Sequence, residues 1–263
     1  MSRISVVINT FNAASILEQC IKSVLNFDEI VICDMYSDDN TLEIAQRYGC
    51  KIVMHERTGY VEPARNFAIA AASNPWVLVL DADELVTDNL RNYLYNIITK
   101  KDCPTGLLVS RANFFMGKFM RASYPDYQLR FFEKSKADWP SHIHSRPKID
   151  GQVSQIPSKR KDLSLIHLQD SSITSILEKT NIYSDKEIQK SIEKGKNYSI
   201  LSCLFHCFHR FFKVYFIKGG FLDGRAGFVN AALIAHYKFA SISKIWEYKM
   251  QGQNDCEKFL SQK

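Results

Sequence analysis

The sequence predicts an α/β fold with a mixed, mainly parallel sheet flanked by helices, followed by a helical C-terminal extension. Short apolar runs alternate with segments of helical apolar spacing through the N-terminal part of the chain. This alternation implies right-handed crossovers, which place successive strands parallel in one sheet. The pattern then becomes mainly helical, so we predict one α/β domain at residues 1–170 and a helical extension at residues 171–263.

The elements of the N-terminal half follow one another in a regular order. Strands are predicted at residues 4–8, 29–34, 51–54 and 76–80. Helices are predicted at residues 14–26, 41–48, 63–72 and 90–98. Gly49 suits the end of the second helix, Pro63 suits the first turn of the third, and Thr87 or Asp88 suits the cap of the fourth.

The pattern changes beyond residue 104. Strands are predicted at residues 106–111 and 127–132, a loop at 142–157, and helices at 173–195 and 230–249. Residues 197–217 are rich in apolar and aromatic side chains but are interrupted by His206, His209, Arg210 and Lys213. A transmembrane helix needs about 20 mainly apolar residues, so a membrane span is not favoured. A basic aromatic helix in the membrane interface is one interpretation, and packing on the α/β domain is the other.

Composition fits a soluble globular protein. Apolar residues make up 46% of the 263 positions and charged residues 24%. The net charge of +6 suits nucleic acid, an anionic membrane surface or phosphorylated substrates without choosing among them. The seven cysteines lack the spacing of a small secreted domain and predict buried thiols in a reducing compartment. Residues 4–8 are too short for a signal peptide, so we expect a cytoplasmic protein.

Three carboxylates follow the apolar run of residues 77–80. The run predicts a buried strand, so Asp81, Asp83 and Glu84 should emerge at the rim of the sheet, where ligands of open α/β folds bind. Asp81 and Asp83 are hard oxygen donors that suit Mg²⁺ or Mn²⁺ carrying a diphosphate. The structural alternative is that these residues only end the strand and begin a turn or helix cap.

Other strands end in polar residues as well. Thr10 and Asn12 follow the first strand, and Asp34 ends the second. Because parallel strands end at one edge of a sheet, these residues and Asp81 should lie around one crevice.

Four N-terminal segments together resemble the family 2 glycosyltransferases. They are Val-Val-Ile-Asn-Thr-Phe-Asn at 6–12, Asp-Met-Tyr-Ser-Asp-Asp-Asn-Thr at 34–41, Ala-Arg-Asn at 64–66 and Leu-Asp-Ala-Asp-Glu at 80–84. Each segment is weak alone, but their order and spacing are jointly specific. The resemblance covers most of the chain. It implies a GT-A (Rossmann-like) fold and inverting transfer of a hexose from a nucleotide sugar, which we expect to be UDP-linked.

The resemblance also assigns the donor side of the site. Thr10, Asn12 and Asp34 would hold the base and ribose, with Asp39 in the adjoining loop. Arg65 would approach the diphosphate, whose negative charge grows as the nucleotide departs.

The metal ligands are assigned in the same way. Asp83 would bind Mg²⁺ or Mn²⁺ directly, and Asp81 would lie nearer the ribose or a metal-bound water. His144 could supply a third ligand, as a histidine does in several GT-A enzymes, although a structural role is the alternative for this side chain.

Residues 124–132 resemble the acceptor side of the lipopolysaccharide-core glucosyltransferase branch. Asp126 is the candidate general base that accepts the proton of the acceptor hydroxyl, and Gln128 and Arg130 would line the site. On chemistry alone, Asp126 could equally open a turn after Pro125.

Residues 219–228 also resemble that branch. This likeness implies lipopolysaccharide core or other surface glycan synthesis on a glycan or lipid-linked acceptor, with an anionic membrane surface as a further partner and no nucleic acid. The enzyme would then be peripheral on the inner face of the cell membrane. The chain departs from the family at Asn9, Tyr36 and Ser145, where proline, glycine and glutamate are usual. A polyprenyl-phosphate glycosyltransferase and a non-catalytic nucleotide-sugar-binding protein remain the alternatives.

Overall fold

The computed structural model describes residues 3–57, 61–140, 146–168, 172–193 and 195–250. The chain divides into two compact units. The first consists of Met1–Phe114 and Ser123–Gln169, and the second of Phe115–Ala122 and Asp170–Lys263. The division into domains at residues 1–170 and 171–263 stays a prediction.

Strands form the centre of the first unit. In chain order they are β1 (Ile4–Thr10), β2 (Glu29–Asp34), β3 (Lys51–Met54), β4 (Trp76–Asp81), β5 (Glu84–Leu85) and β6 (Gly106–Phe115). After β7 (Lys118–Phe119) in the second unit, they continue with β8 (Asp126–Glu133), β9 (Ala137–Asp138), β10 (Lys148–Ile149), β11 (Val153–Gln155) and β12 (Leu165–Leu168).

The main sheet runs in the order β3-β2-β1-β4-β8-β6-β12-β5, with β11 beside β6. The first four strands are mutually parallel, and β12 is parallel to β6. Only β8 and β5 run antiparallel to their neighbours in this order. The predicted mixed, mainly parallel sheet is therefore confirmed.

Helices cover both faces of this sheet. They are α1 (Ala14–Val24), α2 (Thr41–Arg47), α3 (Glu62–Ala71) and α4 (Asp88–Ile97). Strand β1 is buried along its whole length because Val6 and Ile8 enter one core and Val7 the other. Thr87 caps α4 by accepting a hydrogen bond of 3.1 Å from the Leu90 amide.

Among the described residues, the second unit contains three α-helices, which are α5 (Ile173–Glu193), α6 (Ile200–Phe212) and α7 (Gly224–Met250). Gly227, on α7, lies against the backbone of Gly220, where a Cβ atom would come within 1.8 Å of the Gly220 carbonyl oxygen. Gly224 begins α7 with a φ of 61°. These two glycines therefore permit both the bend before α7 and its close packing on the preceding turn.

Candidate functional site

The register of the parallel strands places the predicted donor-side residues at one edge. Thr10 is paired with Asp34 on β2, and the preceding Asn9 is paired with Asp81 on β4. The Thr10 hydroxyl donates a hydrogen bond of 2.8 Å to Asp34, and both side chains are buried. The strand ends therefore converge, as their spacing in the sequence predicts.

The turn after β2 closes over this edge through Ser37, which sequence reasoning did not select. Ser37 donates to Asp34 from its amide at 2.7 Å and from its hydroxyl at 2.6 Å. The same hydroxyl accepts a hydrogen bond from the Asn12 amide, and the Asn12 side chain accepts one from Asp38. Thr10, Asn12 and Asp34 are thus held in one polar network.

Asp39 holds the helices next to this network. Its carboxylate accepts hydrogen bonds of 3.0 Å from the backbone amides of Ala14 and Thr41, at the start of α1 and α2. Burial would raise the pKa of Asp39. A hydrogen bond from the Thr41 hydroxyl and the two amide hydrogen bonds outweigh the effect of burial and lower the pKa. A helix N-terminus stabilises a carboxylate in this position, so Asp39 serves as a structural anchor of the loop.

Asp81 lies between two buried arginines. Its Oδ1 is 2.8 Å from the Arg65 guanidinium, and Arg130 forms a close ion pair with its Oδ2. Burial would raise the pKa of Asp81, but the positive charges of Arg130 and Arg65 hold it well below its usual range. Because both carboxylate oxygens are bound by cations, Asp81 is less suited than Asp83 to act as a direct metal ligand.

A chain of alternating charges continues from Arg130 across the sheet. Arg130 also contacts Glu84 at 3.0 Å, and Glu84 is 3.4 Å from Arg111. Glu84 is fully buried, and burial raises its pKa, as does the neighbouring Asp81 carboxylate. The two arginines oppose this rise, so removing either would leave the Glu84 carboxylate poorly compensated.

Asp126, the candidate base, ends this chain of charges. Its Oδ2 accepts hydrogen bonds from Arg111 at 2.8 Å and Asn113 at 3.2 Å, and its Oδ1 accepts one from Gln128 at 2.8 Å. Burial would raise the pKa of Asp126, but Arg111 and these hydrogen bonds lower it. Arg111 and Asn113 were not selected from the sequence. For Arg111 there was a signal, because it is a charged residue at the end of the strand predicted at residues 106–111.

A cavity of about 170 Å³ opens beside these ion pairs. It is lined by Glu62, Arg65, Asp81, Arg111, Gln128, Leu129, Arg130, Trp139, Arg146 and Pro147. Arg65 stacks on the Trp139 ring, with its guanidinium carbon 4.5 Å from the ring centroid. Nε and Nη1 of Arg65 and Nε of Arg130 are buried without a hydrogen-bond partner among the described residues. Four arginines line this cavity, and two of them, Arg65 and Arg130, have unsatisfied donors, which makes the cavity suited to an anion.

Asp83 lies at a second polar contact, opposite the short strand β12. Its Oδ2 is 3.1 Å from Nε2 of His167, whose Nδ1 is 2.8 Å from the Asn113 side chain. Strand β12 pairs with β5 so that His167 faces Glu84, one residue after Asp83. The side chain of Asp83 is 40% exposed and that of His167 is 14% exposed, and Oδ2 of the first faces Nε2 of the second.

These two donors fit a divalent cation. Mg²⁺ and Mn²⁺ bind through one or two protein groups and fill their other positions with water and substrate phosphates. The part of the chain that the structure describes holds no cluster of three or more histidine, cysteine or acidic ligands. His144, the predicted third ligand, and Ser145 lie outside the described residues. Sequence reasoning missed His167, because β12 is too short and isolated to be predicted.

Comparison with known proteins decides the family. The profile described as "Glycosyl transferase family 2" matches residues 5–146, which is more than half of the chain. The chain belongs to this family. The lipopolysaccharide core biosynthesis glycosyltransferase LpsC of Rhizobium meliloti (strain 1021) is 27% identical over 93% of this chain and 92% of its own length. An uncharacterized glycosyltransferase of Rickettsia bellii (strain RML369-C) is 29% identical over 95% of this chain and 88% of its own.

The fold of this glycosyltransferase agrees with that assignment. The crystal structure of S. aureus TarS residues 1–349 in complex with UDP matches with a TM-score of 0.51. The match covers 95% of this chain and 92% of the TarS chain at 15% sequence identity, which is evidence for the fold alone. The GT-A fold implied by the sequence motifs is therefore confirmed.

Proposed function

We propose that this glycosyltransferase transfers a hexose from a UDP-sugar, with inversion, to a glycan or lipid-linked acceptor of the lipopolysaccharide core or another surface glycan. The observation that carries the proposal is the arginine-lined cavity beside Asp81, with unsatisfied donors of Arg65 and Arg130, together with the nearby Asp83–His167 pair. The likeness to LpsC along nearly the whole chain supports the pathway, and the UDP in the similarly folded TarS structure supports the nucleotide.

The donor nucleotide would bind at the edge formed by β1 and β2. Thr10, Ser37 and Asp34 form a hydrogen-bonded rim there, and Asn12 holds the adjoining turn. A carboxylate acceptor at this edge can bind a ribose hydroxyl or a base N–H, because both are hydrogen-bond donors. We assign the base and ribose to Thr10, Asn12 and Asp34, with Asp39 holding the adjoining loop in place.

The diphosphate would be held by Arg65 and Arg130. Their three unsatisfied guanidinium nitrogens can donate to phosphate oxygens without first breaking the ion pairs to Asp81. Charge-assisted hydrogen bonds of this kind stabilise the negative charge that develops on the leaving nucleotide. Asp81 keeps both arginines in place by neutralising part of their charge.

Asp83 and His167 would hold Mg²⁺ or Mn²⁺. The bound cation would supply positive charge to the departing diphosphate. The Nδ1–H of His167 donates a hydrogen bond to the side-chain oxygen of Asn113, which fixes the orientation of the imidazole and leaves Nε2 directed at Asp83. His167 therefore replaces His144 as our candidate histidine ligand.

Asp126 stays our candidate for the general base, with Gln128 on the acceptor side. Arg130, which the resemblance also placed on that side, would instead serve the diphosphate through its position beside Asp81. The carboxylate is bound by Arg111, Asn113 and Gln128, so it is well oriented but has a lowered pKa. A base is most effective when its pKa lies near the working pH. Proton transfer to Asp126 would therefore be aided by any movement of Arg111 away from it.

We place the enzyme in the cytoplasm, peripheral on the inner face of the cell membrane, where a lipid-linked acceptor would be reached. The polyprenyl-phosphate glycosyltransferase is the second candidate function. It is favoured by Ile200–Ile217, a helical stretch within the described residues that is long and apolar enough to cross a membrane.

The test is release of UDP from a panel of UDP-hexoses, with Mn²⁺ and with a chelator. We expect the wild-type chain to hydrolyse at least one donor only when the metal is present. Asp83→Ala should lower the rate of UDP release at least about tenfold. Removing a residue that only supports a metal ligand already costs about 10–100-fold in affinity or activity, and removing the ligand itself should cost no less. Asp102→Ala changes an exposed carboxylate outside the site and should have no effect. Full activity in Asp83→Ala, or in chelator, would refute the metal assignment.

A further inference from the structure

Helix α6 carries an exposed apolar surface that no part of the proposed chemistry uses. We define the α6 face as Ile200, Leu201, Leu204, Phe205, Phe208 and Phe212. Leu201 is 78% exposed, Phe205 64% and Phe208 66%. The spacing of these residues places them on one side of the helix. An exposed apolar stripe of this length marks an interaction site rather than ordinary surface.

The other side of α6 is packed within the second unit. Cys203 is buried, and in the turn that follows, Val214 packs in a cluster with Ala231 of α7. The Trp246 indole donates a hydrogen bond of 2.7 Å to the Tyr198 carbonyl just before α6. Because one side of the helix packs on protein, the opposite side can lie along a surface without disturbing the fold.

The aromatic rings of this segment are pre-arranged. Phe208 stacks on Phe212 with ring centroids 5.9 Å apart, and Phe212 contacts Phe216 at 4.9 Å. Rings fixed in this way lose little conformational freedom when they are buried. Aromatic side chains are also favoured at the boundary between lipid headgroups and acyl chains.

Positive charge accompanies the α6 face. Arg210, Lys213 and Lys218 are exposed, and none of them has a carboxylate partner among the described residues. Asp223 is the one acidic residue between positions 198 and 224. It is buried and bound by Arg121, with 3.3 Å between the guanidinium and the carboxylate. By the spacing that groups the apolar residues, Arg210 and Lys213 lie to the side of the stripe and not within it. The exposed helix is therefore amphipathic, with an apolar side and a cationic flank, which complements an anionic membrane.

We propose that the α6 face docks on an anionic lipid bilayer, with its apolar side chains at the acyl boundary and Arg210, Lys213 and Lys218 at the lipid phosphates. The proposal deepens the proposed function by naming the surface through which the enzyme reaches a lipid-linked acceptor. Only the role of the surface in reaching that acceptor rests on the proposed function. The docking itself needs no turnover. A second copy of the chain on the same face is the competing occupant.

The apolar part is tested by flotation of the full chain with phosphatidylglycerol–phosphatidylcholine vesicles, without donor or acceptor. The wild-type chain should float with these vesicles and bind more weakly to phosphatidylcholine alone. Phe205→Ser/Phe208→Ser should weaken binding at least about tenfold, because two large apolar side chains leave the interface. Phe67→Ser, at a phenylalanine of the first unit that is 45% exposed, should bind as wild type.

The cationic part is tested with a pair of variants that change net charge equally. Lys213→Gln/Lys218→Gln should weaken binding to the anionic vesicles about fivefold per lysine. Lys100→Gln/Lys101→Gln removes two exposed lysines of the first unit and should bind as wild type. Equal losses in both pairs would mean that only net charge matters, which would overturn the assignment to the α6 face.

Two further outcomes would also overturn the proposal. One is wild-type protein that does not float with anionic vesicles. The other is a concentration-dependent dimer, measured by sedimentation, that Phe205→Ser/Phe208→Ser abolishes while vesicle binding is absent. Circular dichroism and UDP release establish that the double variant is folded. A wild-type chain that floats with the vesicles but releases no UDP from any donor would instead refute the proposed function and leave the docking surface standing.

Discussion

Arg111 decides the protonation of the candidate base. It contacts Asp126 at 2.7 Å and is the strongest of the groups that lower the pKa of that carboxyl. Burial acts in the opposite direction and is the larger single influence. The ionised form of Asp126 therefore depends on a neighbour that the sequence did not single out as functional.

We predict that Arg111→Gln moves the acidic limb of the pH profile to higher pH. Removing the arginine leaves burial less opposed, so the pKa of Asp126 rises from its lowered value. A base works only when deprotonated, so kcat/KM for donor hydrolysis should begin to fall at a higher pH than in wild type. Arg111→Lys keeps the positive charge and should shift the limb less.

The role of Asp126 itself is checked in the same assay. Asp126→Asn should lower kcat by about 10²–10⁴-fold, the usual contribution of a general base. An acidic limb at the same pH in wild type, Arg111→Gln and Arg111→Lys would contradict the assignment. Activity of Asp126→Asn equal to wild type would show that another group accepts the proton.

The turn between β2 and α2 departs from the family pattern. The usual glycine is replaced by Tyr36, which has a φ of 59° and a side chain that is 61% exposed. Only glycine adopts this left-handed conformation without cost. The hydrogen bonds of Ser37 to Asp34 hold the turn in place around this strained residue.

We predict that Tyr36→Gly is more stable than Tyr36→Ala, by about 1 kcal/mol in the free energy of unfolding. Both variants lose the tyrosine ring, but only alanine keeps the cost of the left-handed conformation. At positions with an ordinary backbone conformation, an alanine variant is usually more stable than a glycine variant, so the order expected at residue 36 is the reverse of the usual one. Denaturant unfolding of the two variants measures the difference. Equal stability, or a more stable alanine variant, would contradict the left-handed conformation.

Much of the molecule was predictable because its first half is built from local patterns. The bounds of β2 and β3 agree with the prediction residue for residue, since each is a short apolar run closed by polar residues. The convergence of Thr10, Asp34 and Asp81 followed from the parallel topology alone. Patterns of this kind need no knowledge of distant contacts.

The features that the sequence did not predict depend on contacts between distant segments. His167 reaches Asp83 only through the pairing of two short strands, and Arg130 reaches Asp81 across the pairing of β8 with β4. The predicted loop at residues 142–157 contains β10 and β11, which are too short to give a pattern. The last helix begins at Gly224 and not at residue 230, because Gly227 packs on Gly220 inside the fold.

At the scale of the whole molecule, donor binding should appear as added stability. A ligand that binds only the folded chain raises the free energy of unfolding by about 2.7 kcal/mol at about one hundred times its Kd. We predict that UDP with Mn²⁺ raises the thermal unfolding midpoint of the wild-type chain more than UDP or Mn²⁺ alone. The increment from the metal should be lost in Asp83→Ala and reduced in His167→Ala, because those side chains would hold the cation between protein and diphosphate. Differential scanning calorimetry measures these shifts in the unfolding midpoint, with Asp102→Ala as the matched control. A metal-dependent increase in the midpoint that survives in Asp83→Ala would place the cation elsewhere.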